Sequence, residues 1–527
     1  MATTTDLRSR RSAAQLHALE VVVREIKACD HNGRRKYLQD FNQAFRSYQS
    51  ILDSQQRNDA VCAADVVLIG DYHALPMSQR WVGALFEQRT QPGDRPIVLG
   101  VETIFARDQH ILDEWWRREI DEQELRQRIR FDLDWGYAWG PFYELLTTAR
   151  EHGEAIYGLD CMPREDLRKI GARDRHAAHK IAEIRQRHPN AAIMVLFGES
   201  HLAPKHLPRV LREQLPQEKV LTILQNIDAL YWQAAGEQRE VEWVRVEDDV
   251  ICVFNSTPLE KYENYRLCLN RWSREEKEMP DAGPTIYNLI DGLLRFLDIN
   301  RYASHNGTEP KFLVDLLPEI YCGSSDARLR HLLLRATGEE KKLETMLQKV
   351  ETQGSVYLPA INAFYVREFR MMYAAEEAAR FLHHACRGLP LLRTGHAVAA
   401  SEPMDRFYAR TLEHALAYFG SRVLFPARPG VRTDDDCDLT RAVCDKVAQN
   451  AAHGGRAKFD CMTQRLGYTL GSELYDSYLG GRVSRSALRR LFLANLEEPG
   501  SARATCLKLV LGLRSSRKKA WSANVAG

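Results

Sequence analysis

Short apolar runs alternate with longer amphipathic stretches through the first half of the chain. Runs at 65–69, 96–101, 154–159, 191–197 and 219–224 have the length and composition of buried strands. Segments around 77–89, 105–118, 121–130, 141–152, 164–188 and 203–214 fill the gaps as helices. This alternation, with wholly apolar strands, predicts an α/β fold: a mostly parallel sheet flanked by helices on both faces. Two further runs, Val241–Val246 and Val250–Asn255, flank Glu247-Asp248-Asp249 and predict a terminal hairpin at the sheet edge.

Ahead of this region, residues 12–55 predict helix. Leu16, Leu19, Val22 and Ile26 recur at helical spacing, as do Phe41, Phe45, Tyr48 and Ile51 after a break at His31-Asn32-Gly33. After Pro258 the strand-like alternation stops. Helices are expected near 258–272, 284–298, 309–318, 327–352, 357–386, 404–419, 439–450, 460–479, 484–496 and 501–513. Loops rich in Gly, Pro and Asp, notably 387–404 and 425–438, separate them. The expected organisation is an N-terminal helical segment (1–58), an α/β domain (59–256) and a separate all-α C-terminal domain (257–527).

Inside the α/β region one phrase occurs twice. Residues 66–76 read VVLIGDYHALP and residues 194–204 read MVLFGESHLAP. Each is an apolar run, then Gly, an acid, any residue, His, two residues and Pro. Gly after a strand allows a sharp turn or a close backbone approach. The acid and the His then fall beyond the strand's carboxyl end, where open α/β sheets place their ligands. Glu102 closes a third apolar run, Ile97–Val101. Three strand ends thus offer His73, Glu102 and His201, with Asp71 and Glu199 beside them.

Two imidazoles and a carboxylate form a common ligand set for a divalent metal such as Mn, Zn or Co. A metal held by His73, His201 and Glu102 would lower the pKa of a bound water and polarise a carbonyl or phosphoryl oxygen. Without metal, a His oriented by a carboxylate acts as general base on water. Tyr72, between acid and His, is a candidate pocket wall. Arg164 and Arg173 are candidates for an anionic substrate group, because guanidinium pairs bidentately with carboxylate or phosphate.

The paired GDYH (70–73) and GESH (198–201), with Glu102 between, resemble the ChaN-like domain of the Tiki/TraB/erythromycin-esterase superfamily. Further likenesses are the helix with Gln109 and Leu112, IDEQEL at 120–125, Trp135 followed by Tyr143, LDCMPR at 159–164 and Arg173-Asp174. The resemblance covers about residues 60–256. It implies His73, Glu102 and His201 as core site residues, with Glu199 supporting. Where the family usually has Glu, this chain has Asp71, whose shorter reach suits orienting His73. The activities implied differ: metal-dependent proteolysis in Tiki-type members, metal-free ester hydrolysis with a His base in erythromycin esterases, and haem binding linked to iron uptake in ChaN-type proteins. The expectation is a hydrolase acting on a small-molecule or peptide substrate. The alternatives are a haem- or iron-handling protein without catalysis, and a regulatory scaffold with a degenerate site.

Composition narrows the partners. The chain has 527 residues, 44% of them apolar, and Lys+Arg 73 against Asp+Glu 71. That balance gives no reason to expect nucleic acid or an anionic membrane. The basic cluster Arg514–Lys519 is expected to be solvated at the terminus. Eleven scattered cysteines without C-x-x-C, no apolar leader and no span of about 20 apolar residues suggest a cytoplasmic protein. In the helical half, Glu376, Arg380, His383, His384 and Glu413-His414 suggest salt bridges, or a metal or haem held between helices. Tyr475 and Tyr478 read as core aromatics. A homodimer through the helical domain is a further expectation.

Overall fold

The buried apolar runs of the first half assemble into one eight-stranded sheet. The computed structural model describes residues 4–30, 36–89, 95–162, 170–273, 280–301, 316–323, 325–337, 340–387, 403–431, 441–452, 455–496 and 498–525. Two compact units result: Glu25–Trp272, and Met1–Arg24 together with Ser273–Gly527. The Pro258–Trp272 helix thus belongs to the unit that holds the large sheet.

The strands of that sheet are β1 (Ser50–Ile51), β2 (Val66–Asp71), β3 (Ile97–Phe105), β4 (Ala155–Asp160), β5 (Ala192–Gly198), β6 (Val220–Gln225), β7 (Trp243–Glu247) and β8 (Val250–Val253). They lie in the order β1-β7-β8-β6-β2-β5-β3-β4. From β8 to β4 all neighbours are parallel, and β7 pairs antiparallel with both β8 and β1. The five expected parallel strands are all present, β3 running on to Phe105.

Alternate residues of each strand feed separate cores. Val67, Ile69, Leu99, Val101, Met194 and Leu196 face one side. Val66, Leu68, Val98, Ile193, Val195 and Phe197 face the other. Burial on both faces is what a continuous apolar run requires. The Pro76–Gln88 helix after β2 packs Val82, Leu85 and Phe86 into the first core. The Leu207–Gln214 helix after β5 packs Leu207 and Leu211 into the second. Adjacent β2 and β5 therefore send their chains to opposite faces. That reversal opens a crevice at their carboxyl ends.

Several expectations fail locally. Residues 12–55 are not helical throughout: one helix ends at Ala44, and Ser50–Ile51 is β1, paired with Val244 and Arg245 of β7. Asp53 then caps the Ser54–Ala63 helix in a reciprocal capping box with Gln56, so Ile51 lies outside it. The second unit is mainly helical but contains a small sheet, β9 (Glu319–Cys322), β10 (Ser355–Leu358) and β11 (Ala363–Val366), in the order β10-β11-β9. The helix expected over 357–386 is confined to Met371–Ala385. Pro359 and the left-handed Asn362 (φ 46°) turn the chain between β10 and β11. The segment expected as one helix over 327–352 is two, Asp326–Thr337 and Glu340–Gln353. Most of the 309–318 helix and of the 387–404 loop, and half of the 425–438 loop, lie outside the described residues.

Candidate active site

The register of β2 on β5 pairs Asp71 with Gly198, so the two repeated phrases end side by side. β3 lies on the other flank of β5, and Glu102 follows the Val101–Leu196 pair.

Each imidazole is held at Nδ1 by its own carboxylate. His73 Nδ1 lies 2.8 Å from Asp71 Oδ2, and Gln79 donates to the other oxygen of Asp71. His201, in the turn Glu199–Leu202 after β5, has Nδ1 2.5 Å from Asp174 Oδ1. Tyr37 donates its hydroxyl to Asp174 Oδ2 and lies 3.3 Å from His201 Nδ1. An Nδ1 proton shared with a carboxylate fixes the tautomer, leaving Nε2 to do chemistry in the neutral ring.

Both Nε2 atoms face Glu102. The separations are 3.7 Å from His73 and 3.8 Å from His201, each to a different carboxylate oxygen. Arg173 donates to Oε1 of Glu102 at 2.5 Å and binds both oxygens of Asp160 at 2.8 and 2.9 Å. The Gly198 N–H donates to Oε2 at 2.5 Å. A Cβ at Gly198 would sit 3.0 Å from Glu102 Oε2 and 3.2 Å from His73 Nε2. Glycine is therefore needed for close approach, not for an unusual backbone angle. The cluster unites four carboxylates, two imidazoles and one guanidinium. His73 is its most accessible imidazole, with a side chain 20% exposed against 4% for His201.

Three expected site residues have other partners. Glu199 orients neither imidazole; its carboxylate takes the Lys261 ammonium at 3.0 and 3.3 Å. Burial pushes the Glu199 carboxyl up against the pull of Lys261. Burial would lower the Lys261 ammonium, but the Glu199 and Asp228 charges outweigh it and raise it. Tyr72 lies beneath that ammonium, 4.4 Å from its ring centroid. Arg173 is buried and committed to Glu102 and Asp160. Arg164 lies outside the described residues.

Sequence reasoning missed Asp160, Asp174, Tyr37, Gln79 and Lys261. Only Asp160 carried the same signal as Glu102, an acid closing an apolar run. Asp174 sits on a helix, and Tyr37 and Lys261 lie far away in sequence.

A metal ion fits the centre poorly. Among the described residues no group of three His, Cys, Asp or Glu side chains is arranged to hold one. Both oxygens of Glu102 already accept short hydrogen bonds, one from a guanidinium that supplies the positive charge a metal would bring. Haem ligation by these imidazoles meets a similar obstacle: Nε2 of each ring points inward at Glu102.

In the second unit, Glu376 and Arg380 form the expected salt bridge at 3.1 Å, and Arg380 also binds Glu377 and Glu413. Glu376 further accepts the Tyr468 hydroxyl at 2.7 Å. Tyr475 and Tyr478 are buried core aromatics.

Residues 58–191 match the family model described as haem-binding uptake, Tiki superfamily, ChaN, and this part of the chain is a ChaN-like domain. A solved structure described as cofacial heme binding to ChaN of Campylobacter jejuni is 14% identical, with a TM-score of 0.26, covering 34% of this chain and 93% of that one. No curated protein matches the chain. Among the described residues no helix is long and apolar enough to cross a membrane.

Proposed function

We propose that the α/β unit is a metal-independent hydrolase of small ester or amide substrates, with His73 as general base. The observation that carries this reading is the convergence of both Nε2 atoms on Glu102 while an aspartate holds each Nδ1. At 3.7 and 3.8 Å the Nε2–carboxylate separations are too long for direct hydrogen bonds. A water or substrate oxygen about 2.8 Å from both atoms would close a triangle and be polarised by each.

In this mechanism His73, the exposed member, takes a proton from water at Nε2 as the water attacks the scissile carbonyl. Asp71 stabilises the imidazolium that forms. Arg173 and the Gly198 N–H hold the Glu102 carboxylate aimed between the rings. The proton gained at His73 Nε2 passes to the leaving group as the tetrahedral intermediate collapses, and His201, with Asp174 and Tyr37 behind it, faces Glu102 from the other side and helps position the water. Such acid–base assistance is worth roughly 10²–10⁴-fold in rate.

The full chain should hydrolyse 2-naphthyl acetate in the presence of chelator. His73→Ala should abolish the reaction, and His201→Ala should slow it. Absence of turnover in the wild type, or turnover unchanged by His73→Ala, would sink the proposal.

A second reading, haem binding without turnover, is favoured by the description of the matching family. It needs a ligand other than these imidazoles. A Soret band on adding haemin that survives His73→Ala and His201→Ala would support it.

A further inference from the structure

Beside His73 the wall of the site is aromatic. Its ring centroid lies 4.4 Å from Trp135 and 5.3 Å from Tyr137. Tyr137 in turn meets Trp272 edge-on at 5.2 Å, and Trp272 meets Tyr265 at 6.2 Å. The series starts at the reacting imidazole and ends at solvent, because Trp272 is 43% exposed.

An exposed indole is ordinarily a mobile, isolated surface residue. This one is fixed. Trp272 Nε1 donates to the carbonyl oxygen of Gly136 at 2.9 Å. Gly136 adopts φ +75°, and a Cβ there would sit 3.2 Å from that same nitrogen. The turn at 135–137 and the end of the Pro258–Trp272 helix are therefore shaped to hold one accessible indole against Tyr137. Burial pushes the phenols of Tyr137 and Tyr265 well above the usual range, so the wall is uncharged. A rigid, neutral aromatic surface recognises another apolar ring by stacking or edge contact, at centroid spacings of about 4.5–7 Å. Tyr137 itself lies 5.3 Å from the His73 ring, so a ring held against Tyr137 is held beside the reacting imidazole.

We propose that Tyr137 and Trp272 form a stacking subsite for a substrate group of one or two fused aromatic rings. The inference deepens the hydrolase reading and rests on His73 being the reacting group. It names the substrate class as aryl esters or amides.

Calorimetric titration of the full chain with 2-naphthol, a ligand that cannot be hydrolysed, separates the two ideas. The wild type should bind 2-naphthol saturably and more tightly than cyclohexanol. Trp272→Ala and Tyr137→Ala should each weaken it about tenfold, while Trp272→Phe should retain most of the affinity. His73→Ala should bind 2-naphthol like the wild type while losing hydrolysis of 2-naphthyl acetate. This pattern without any hydrolysis would leave the subsite standing and remove the hydrolase. No saturable binding by the wild type, equal affinity for cyclohexanol, or unchanged affinity in both alanine variants would overturn the subsite.

Discussion

The backbone N–H of Gly198 lies 2.5 Å from Glu102 Oε2, so the second repeated phrase grips the carboxylate that lies between the two histidines. Gly198→Ala would put a methyl group 3.0 Å from that oxygen and 3.2 Å from His73 Nε2. Overpacking of this kind costs about 1–3 kcal/mol. Urea denaturation should register that loss, and esterase activity should fall far more than stability. An alanine variant with wild-type turnover would show that the close approach is not needed.

Arg173 sets the charge balance of the cluster. Arg173→Met would leave Glu102 and Asp160 buried without their shared cation. Breaking a buried pair from one side costs about 3–5 kcal/mol. Arg173→Lys should rescue little, since an ammonium cannot span two carboxylates as the fork does. A lysine variant as stable as the wild type in guanidinium denaturation would contradict this.

The two carboxylate–imidazole pairs make separable predictions. Asp71→Asn should lower kcat for 2-naphthyl acetate by about 10²–10⁴-fold, because the amide no longer stabilises the imidazolium. Asp174→Asn should lower kcat in the same direction, because His201 then positions the attacking water less firmly. Tyr37→Phe removes one hydroxyl from Asp174 and should cost only about 1 kcal/mol of stability. Full activity in Asp174→Asn would reduce His201 to a structural residue.

The second unit should be acid-sensitive. Burial holds the His383 and His414 imidazoles well below their ordinary range, helped by the charges of Arg387 and Arg380 respectively. Once unfolded, both take protons near pH 6.5. The unfolded chain therefore binds more protons below that pH, and stability must fall as pH drops from about 6.5. The slope is about 1.4 kcal/mol per pH unit for each ring. Thermal midpoints from pH 7.5 to 5.0 should show the decline, and His383→Leu with His414→Leu should flatten it.

Much of the centre was legible because its signal was repetition. Two matching strand ends located His73 and His201, and the acid closing a third run located Glu102. The repeat misled at Glu199. β2 extends through Asp71, whereas β5 stops at Gly198, so the matching acid falls one residue past the strand in a tight turn. Its carboxylate swings to Lys261, and His201 takes Asp174 from a helix instead. The string Arg173-Asp174 stood out only as a family likeness, and nothing local ties Asp174 to His201, because only tertiary packing brings it near. The same limit explains β10 and β11. Ile361, Tyr365 and Phe369 share a helical spacing, but the pairing of Val356 with Tyr365 decides the outcome.

Strand order also bears on how the protein can be dissected. β5 begins at Ala192, one residue beyond the matched segment, yet it lies between β2 and β3. A fragment ending at residue 191 would lose the central rung and expose two unsatisfied hydrogen-bonding edges, an invitation to aggregation. Fragments meant for biochemistry should run at least from Glu25 to Trp272.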